Sequence, residues 1–216
     1  MSKYLFLGLI ISLLSLNCMA NNQKNAVSMK EKIKIGILIF PEVYQLDATA
    51  PYSVFASATN TEVHLIWKDK EPIKSGDGLI LTPTTTYHEC PELDVICIPG
   101  GGGLFPLLED KETLSFIKKQ SDVCDYVTSV CTGSLLLAAA GGLDGYKATT
   151  HWYMQNLLEA FDIQFVHERV VIDRNRITSA GISAGIDMAL TLVGMISGEA
   201  EAQRIELTME YDPAPP

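Results

Sequence analysis

A cysteine stands where the chain turns sharply between two segments of opposite character. The stretch Tyr126–Gly142, YVTSVCTGSLLLAAAGG, brings β-branched residues up to Cys131, turns at a Thr-Gly pair and continues as an apolar Leu/Ala helix. A side chain at such a turn projects above the sheet, beside the free N–H groups and partial positive charge of the helix start. These surroundings favour the thiolate, which is the reactive form of cysteine, and Gly133 permits the close approach that the turn needs. We therefore predict that Cys131 is a nucleophile with a lowered pKa, rather than a buried structural cysteine.

A run of glycines follows another apolar strand. In Pro99–Gly103, PGGGG, the backbone N–H groups could converge on a negatively charged atom, as an oxyanion site requires. The run has neither GxGxxG spacing nor a following Gly-Lys-Ser/Thr, so no nucleotide-binding motif is indicated. A glycine run alone is more often a simple turn, but beside a strand-end cysteine it predicts an anion-binding wall that includes Gly101 and Gly102.

Asp47 and His151 are the candidate acid–base residues. Asp47 lies in Phe40–Phe55, FPEVYQLDATAPYSVF, close to the start of a helix. The position leaves two interpretations open, a helix cap or a general acid/base acting on the thiol. His151 ends the segment KATTH and could face the same site, although a lone histidine is usually structural.

These residues must be positioned by an alternation of strands and helices. The expected strands cover 33–40, 62–67, 93–100 and 126–131, with a β-rich excursion at 78–87 and a hairpin within 165–178. The expected helices cover 48–59, 110–121 and 152–161, together with the Leu/Ala helix and a long helix beginning near residue 182. Apolar strands separated by helices indicate one α/β domain with a parallel sheet covered on both faces.

Such sheets bind ligands at the carboxyl ends of their strands, where the connecting loops separate. The segments Phe40–Asp47, Pro99–Gly103 and Cys131–Gly133 each follow an expected strand. We therefore expect the three segments to meet at one edge of the sheet and to form the functional site there.

The first twenty residues have the layout of a secretory signal peptide. Lys3 precedes an apolar run from Tyr4 to Leu16, and Cys18-Met19-Ala20 forms a small-residue cleavage site. The apolar run is too short to span a bilayer comfortably. We expect cleavage after Ala20 and a periplasmic or secreted protein.

This division leaves residues 21–32 as a linker and residues 33–216 as a single domain. Two alternatives remain for the N-terminus. A lipoprotein modified at Cys18 is disfavoured by the bulky Asn17 that precedes it. Translation from Met29 would instead leave the protein in the cytoplasm.

Composition narrows the possible partners. The 216 residues carry a net charge of −10 with no cluster of Lys or Arg, so we expect no nucleic-acid partner. Cleavage would leave four cysteines, without CxxC or Cys/His metal spacing, and we expect no metal. Cys97 is expected in the core, whereas Cys90 or Cys124 could form a disulfide in an exported protein.

Several motifs together resemble the ThiJ/PfpI superfamily, and within it the isonitrile hydratases. They are QLD-x-T-x-P-Y, DVICIPGG, SVCTGSLLLAAAG and KATTHW, and the similarity extends from about Lys32 to the terminal EYDPAPP. The resemblance implies a flavodoxin-like, class I glutamine amidotransferase-like three-layer sandwich that forms homodimers. It also implies a reaction without a cofactor, in which an isocyanide is hydrated to an N-substituted formamide.

The resemblance also assigns roles to individual residues. It implies that Cys131 is the nucleophile, Asp47 the essential carboxylate and Thr132 a helper that follows the cysteine. Ile182 matches a position whose backbone faces the cysteine. Ala50 and Ala180 stand where glycine is usual in the family, and either methyl group could narrow the pocket.

The chemistry expected of these residues is nucleophilic catalysis. The Cys131 thiolate would attack the isocyanide carbon to give a thioimidate. Asp47 would manage the proton and then direct water at the adduct, which releases the formamide. Removal of either residue should abolish turnover, because the two act as a unit.

Other functions on the same fold are alternatives to this one. Proteases and glyoxalase- or deglycase-like enzymes of the superfamily often carry His after the cysteine or Glu as the acid, whereas this sequence has Thr132 and Asp47. Ligand-sensing domains of AraC-type regulators share the fold but continue into a helix-turn-helix domain, whereas this sequence ends at Pro216. A redox sensor or chaperone-like protein with an oxidisable cysteine is a further alternative.

Overall fold

The centre of the fold is a seven-stranded sheet. A computed structural model describes residues 32–212, so the expected signal peptide, its cleavage site and nearly all of the expected linker lie outside the described residues. The strands are β1 (Ile33–Leu38), β2 (Thr61–Trp67), β3 (Ile73–Lys74), β4 (Ile80–Leu81), β5 (Thr85–Thr86), β6 (Val95–Ile98), β7 (Tyr126–Val130), β8 (Lys147–Ala148), β9 (Gln164–Phe165), β10 (Val170–Asp173) and β11 (Arg176–Ser179). The sheet has the strand order β10-β11-β7-β6-β1-β2-β5, and its neighbours are parallel except for the β10–β11 hairpin.

Two groups of helices flank this sheet. The α-helices are α1 (Gln45–Ser57), α2 (Lys111–Val123), α3 (Gly133–Ala139), α4 (Gln155–Glu159), α5 (Ala184–Ser197) and α6 (Glu199–Thr208). Helix α1 packs against α5, whereas α3 packs against α2 and against a 3₁₀ helix at Gly102–Glu109. The mostly parallel sheet and its helices confirm the predicted α/β, flavodoxin-like fold. Within residues 32–212, no helix is both long and apolar enough to cross a membrane.

Burial explains why the central strands read as continuous apolar runs. All four residues of β6, Val-Ile-Cys-Ile, are buried, because β1 and β7 cover its edges and helices cover both faces. Cys97 in this strand is fully buried, which confirms its prediction as a small core residue. The four cysteines of the described chain are free thiols, so neither Cys90 nor Cys124 forms the disulfide considered from the sequence.

Several predicted elements differ in detail. The excursion at 78–87 divides, because β4 pairs antiparallel with β3 while β5 joins the edge of the main sheet. The helix expected at 152–161 is interrupted, since a 3₁₀ helix at Trp152–Met154 precedes α4. The long helix expected near residue 182 begins at Ala184 and ends before Gly198, whose φ of 93° reverses the chain into α6.

Candidate active site

Cys131 occupies a strained turn between β7 and α3. Its φ is 58°, in the left-handed region that non-glycine residues rarely adopt, and this conformation costs about 1–3 kcal/mol. The Cys131 N–H compensates by donating to two carbonyl groups at the end of β11, Ser179 O at 3.1 Å and Ala180 O at 2.9 Å. The predicted elbow is therefore present, and it is fixed from the neighbouring strand.

Two hydroxyl groups hold the carbonyl side of the same residue. Thr150 Oγ1 donates to Cys131 O at 3.1 Å, and Ser134 Oγ donates to the same oxygen at 3.2 Å. All three residues are buried, so water does not replace these hydrogen bonds easily. The strained peptide is thus fixed at both ends, which orients the thiol above the sheet.

Glycines allow the chain segments around the elbow to approach one another. A Cβ atom at Gly133 would lie 2.8 Å from the carbonyl carbon of Pro99. At Gly100 it would lie 2.7 Å from Thr132 N and 3.0 Å from Asp47 Oδ2. Only glycine therefore fits at either position without displacing the backbone.

Asp47 does not cap helix α1. The helix begins at Gln45 after an N-cap residue, Tyr44, that makes no capping hydrogen bond from its side chain. The Asp47 carboxylate is fully buried, and its Oδ2 accepts a hydrogen bond from Gly100 N at 3.1 Å. Its Oδ1 is buried and has no hydrogen-bond partner in the part of the chain that the structure describes. A buried, unpartnered carboxylate oxygen is costly, which indicates a functional role rather than a structural one.

The three strand ends predicted to meet are joined by hydrogen bonds. Tyr44 N donates to Gly100 O at 2.9 Å, which links the loop after β1 to the loop after β6. Gly101 N donates to Thr132 Oγ1 at 3.1 Å, which links the glycine run to the elbow. The segments after β1, β6 and β7 therefore form one site, as their positions in the sequence predicted.

The glycine run does not provide the expected set of free amide groups. The N–H of Gly100 is taken by Asp47, that of Gly101 by Thr132 and that of Gly103 by Glu42 O at 3.3 Å. The prediction that Gly101 binds an oxyanion is therefore wrong, because its donor is used within the protein. The run positions the catalytic side chains instead.

The predicted lowering of the Cys131 pKa is also wrong. Burial, followed by the charge of the neighbouring Asp47, raises the pKa of the thiol to about 12. The backbone N–H groups of Ile182 and Thr132 act on the sulfur in the opposite direction, as expected of the elbow, but they do not outweigh burial. The side chain of Cys131 lies beneath the surface, where the partial charge of the helix start does not offset the loss of hydration.

Burial also changes the pKa of Asp47. It raises the pKa of the carboxyl group from its ordinary value of 3.8 to about 7, against the N–H of Gly100 and the Cys131 thiol, which lower it. Asp47 and Cys131 influence each other and titrate as a pair. Between about pH 7 and pH 12 the pair holds one proton, on the thiol, with the carboxylate ready to accept it.

A cleft of about 320 Å³ opens above the elbow. Cys131 and Thr132 line it, and so do all four residues predicted to form the pocket, namely Gly101, Gly102, His151 and Ile182. Ala50 and Ala180, whose methyl groups could have narrowed the pocket, are not among its lining residues. Ala180 acts through its backbone carbonyl, which accepts from Cys131 N.

His151 holds the cleft wall together. Its Nδ1 accepts a hydrogen bond from Tyr153 N at 3.3 Å, and its carbonyl oxygen accepts one from Met154 N at 2.8 Å. It therefore caps the 3₁₀ helix at Trp152–Met154, which forms one side of the cleft. This geometry agrees with the structural interpretation of His151 that the sequence favoured.

Some features of the site had no clear signal in the sequence. The end of β11 contributes a fourth segment, Ser179–Ile182, whose carbonyl and N–H groups surround Cys131; of this segment the family resemblance had indicated only the backbone of Ile182. Thr150 lay within the KATTH motif, but nothing there indicated that it bonds Cys131. Within residues 32–212, no group of three or more His, Cys, Asp or Glu side chains is arranged to hold a metal ion.

Comparison with known proteins identifies the relatives of this chain. A model of the DJ-1/PfpI family matches residues 33–195. Isonitrile hydratase of Pseudomonas putida is 54% identical over 184 residues, which cover 85% of this chain and 81% of that enzyme. The family resemblance inferred from the motifs is therefore confirmed.

Two further similarities are informative. The crystal structure of a ThiJ/PfpI family protein from Pseudomonas syringae superposes with a TM-score of 0.84 at 39% identity, covering 90% of this chain and 81% of that one. The HTH-type transcriptional regulator GbdR of Pseudomonas aeruginosa is 34% identical over 151 residues, which cover 69% of this chain but only 41% of the regulator. The fold therefore occurs both alone and as part of longer proteins.

Proposed function

The chain belongs to the DJ-1/PfpI family, and on that premise we propose that it is an isonitrile hydratase, a cofactor-independent lyase that converts an isocyanide and water into an N-substituted formamide. The observation that carries the proposal is the pairing of Cys131 with the buried Asp47 beneath an apolar cleft. The identity of 54% to the Pseudomonas putida enzyme over most of both chains supports the same reaction.

In the first step, the Cys131 thiol adds across the isocyanide carbon. A bond forms between sulfur and that carbon as the thiol proton passes to Asp47, and Asp47 then returns the proton to the same carbon. The product is a thioimidate, R–N=CH–S–Cys131, which holds all the atoms of the isocyanide and of the thiol. The N–H groups of Ile182 and Thr132 stabilise the sulfur while it carries negative charge.

In the second step, water adds to the C=N bond of the thioimidate. Asp47 accepts a proton from the water and passes it to the nitrogen, so that the resulting tetrahedral carbon carries H, OH, NHR and the sulfur. Cleavage of the C–S bond releases R–NH–CHO, and Asp47 transfers the hydroxyl proton of the tetrahedral carbon to the leaving sulfur. The Asp47 Oδ1 atom, which has no other partner in residues 32–212, is available to orient that water.

The raised pKa of Asp47 suits it to this role. A carboxyl group that titrates near 7 can accept a proton and return it at neutral pH, whereas an ordinary aspartate is too weak a base. Thr132 contributes through its backbone N–H at the sulfur, and its hydroxyl holds Gly101 against the elbow. The role of Thr132 is therefore to position the nucleophile.

The proposal is tested by mixing the purified protein with benzyl isocyanide and measuring N-benzylformamide. We expect catalytic formamide production by the wild type and none above background by Cys131→Ala. A folded wild-type protein that produces no formamide from several isocyanides would contradict the proposal. If it bound isocyanides without turnover, a ligand-sensing function like that of the regulator domains would replace it.

We further propose that the protein is exported and that it forms a homodimer. Export is supported by the charged start, apolar run and cleavage site of residues 1–20. The dimer is supported by the resemblance to the family. Mass spectrometry of protein from the native host should give a chain that begins at Asn21, and sedimentation should give twice that mass. A cytoplasmic chain that begins at Met29, or a monomer, would contradict the respective proposal.

A further inference from the structure

The walls of the active-site cleft are largely aromatic. Five of its eleven lining residues carry large aromatic or thioether side chains, namely Tyr44, Phe105, Trp152, Tyr153 and Met154. None of the described residues that line the cleft is a lysine, arginine, aspartate or glutamate. Away from the thiol, its neighbours and the imidazole of His151, a ligand in the cleft therefore meets largely apolar surface.

The mouth of the cleft is formed by two exposed rings. Trp152 and Tyr153 are each 71% exposed, and their rings meet edge to face with centroids 5.4 Å apart and planes at 80°. The hydrogen bonds from Tyr153 N and Met154 N to His151 fix the short helix that carries the two rings. Large aromatic side chains are seldom exposed side by side without a partner, and these two lie where the distal part of a ligand would emerge.

The floor of the cleft is negative. Cys131 and the buried Asp47 hold a single proton between them above about pH 7, so the pair carries one negative charge. With no lysine or arginine among the lining residues, an anionic substituent would lose its hydration and gain no permanent counter-charge. The cleft therefore selects against negative charge as well as for apolar surface.

We propose that the preferred substrates are uncharged isocyanides with an aromatic or similarly bulky apolar substituent, and that the Trp152–Tyr153 rim determines this preference. The inference rests on the proposed function, because it assigns the substituent of the same substrate class. The isocyanide carbon reaches Cys131 while the ring of the substituent packs against the two rim side chains.

Four isocyanides test the effect of the charge and the effect of the aromatic ring separately. Ethyl isocyanoacetate is uncharged, whereas isocyanoacetate presents the same reacting group with a negative charge. Benzyl isocyanide carries an aromatic ring that methyl isocyanide lacks. We expect kcat/KM to be about 100-fold or more lower for isocyanoacetate than for its ethyl ester. We also expect benzyl isocyanide to be favoured over methyl isocyanide through a lower KM.

The results distinguish this inference from the function itself. Equal kcat/KM values for the ester and the carboxylate, or for benzyl and methyl isocyanide, would overturn the inference while leaving the hydratase function intact. No formamide from any of the four compounds would instead contradict the proposed function.

Variants at the rim test which residues make the selection. Tyr153→Ala should lower the benzyl-to-methyl ratio of kcat/KM about three- to tenfold, the usual value of an aromatic contact. Tyr52→Ala is the matched control, because Tyr52 is also an exposed tyrosine but lies outside the cleft, and it should leave the ratio unchanged. Trp152→Ala should lower the ratio as well, and Trp152→Phe should restore most of it.

A structural role of the rim predicts different results. If Tyr153→Ala lowered kcat/KM equally for benzyl and methyl isocyanide, Tyr153 would support the fold and would not contact the substituent. Dissociation of an oligomer with an unchanged benzyl-to-methyl ratio would show that the rim is an interface between copies of the chain. Either result would overturn the inference.

Discussion

Cys97 lies within β6 and Cys131 directly after the neighbouring strand β7, yet only Cys131 is placed to react. Cys97 lies within β6 opposite Thr128 of β7, and Cys131 follows β7 three residues beyond that pair. Cys97 is fully buried and Cys131 is 6% exposed. Burial raises the pKa of both thiols to about 12. Neither burial nor pKa therefore distinguishes the two cysteines.

The difference lies in backbone position and in the partner carboxylate. Cys131 has left the strand, adopts a left-handed conformation and opens into the cleft, whereas Cys97 remains within the ladder. The charge of Asp47 raises the pKa of both thiols, but only the Cys131 thiol also donates a hydrogen bond to that carboxylate. Cys131 is therefore a nucleophile because a paired base can accept its proton, and not because its own pKa is low.

Removal of the Cys131 thiol and removal of the Cys97 thiol should differ most in their effects on activity. We expect Cys131→Ala to lower kcat/KM for formamide formation by about 10⁴-fold or more, because the covalent step is lost. Cys97→Ala should keep activity within a few-fold and lower the free energy of unfolding by about 0.5–1.5 kcal/mol, as for a small group deleted from a core. Steady-state kinetics and urea unfolding of both variants check these values. Comparable losses of activity in the two variants would remove the distinction.

The pH dependence of kcat/KM should follow the ionisation of Asp47 rather than that of the Cys131 thiol. Protonated Asp47 cannot accept the thiol proton, so kcat/KM should fall about tenfold for each pH unit below about 7. Above that value the profile should reach a plateau, since the thiol itself ionises only near pH 12. Rates with benzyl isocyanide from pH 5 to pH 9 measure this. A rate that keeps rising tenfold per unit to pH 9 would mean that free thiolate, not the pair, is the nucleophile.

Loosening the backbone of the Cys131 turn should have a smaller effect on kcat/KM. Thr150→Val removes one of the two hydroxyl groups that hold the Cys131 carbonyl, and we expect kcat/KM to fall about tenfold as the thiol loses its orientation. Thr128→Val is the matched control, because Thr128 Oγ1 also donates to a buried carbonyl, Ile96 O at 3.1 Å, but within the sheet. It should destabilise the fold with little change in kcat/KM. Equal kinetic losses in the two variants would mean that the Thr150 bond serves stability alone.

The sequence predicted the parts of the site that depend on chain order. A β-branched run, a Thr-Gly turn and an apolar helix are local signals, and together they located Cys131 at an elbow. The rule that parallel strands direct their carboxyl ends to one edge then brought Asp47 and the glycine run to the same place. Both inferences needed no knowledge of the packing.

Most of what could not be predicted depends on contacts between distant segments. The pKa of Cys131 is set mainly by burial, and the helix start, which is the only part of these surroundings visible in the local sequence, shifts it in the opposite direction. The amide of Gly101 is taken by a side chain 31 positions away, which no property of the glycine run reveals. The segment Trp152–Met154 was expected as regular helix but forms a 3₁₀ turn held by local hydrogen bonds to His151, so this difference arises from neighbouring residues and not from distant segments.

The comparison of the two cysteines rests on Asp47, and one pair of variants tests it most directly. Asn retains the shape of Asp and accepts the Gly100 hydrogen bond, but it cannot accept a proton. Asp110 is the matched control, since its side chain does cap a helix by accepting from Thr113 N at 2.8 Å, and Asn caps as well as Asp.

The measurement is kcat/KM for N-benzylformamide formation by Asp47→Asn and Asp110→Asn, both checked for native circular dichroism. We predict a loss of about 10²–10⁴-fold for Asp47→Asn, the usual contribution of a general acid/base, and a change within about twofold for Asp110→Asn. An Asp47→Asn variant with near wild-type kcat/KM would remove Asp47 from the mechanism and contradict the paired-base account.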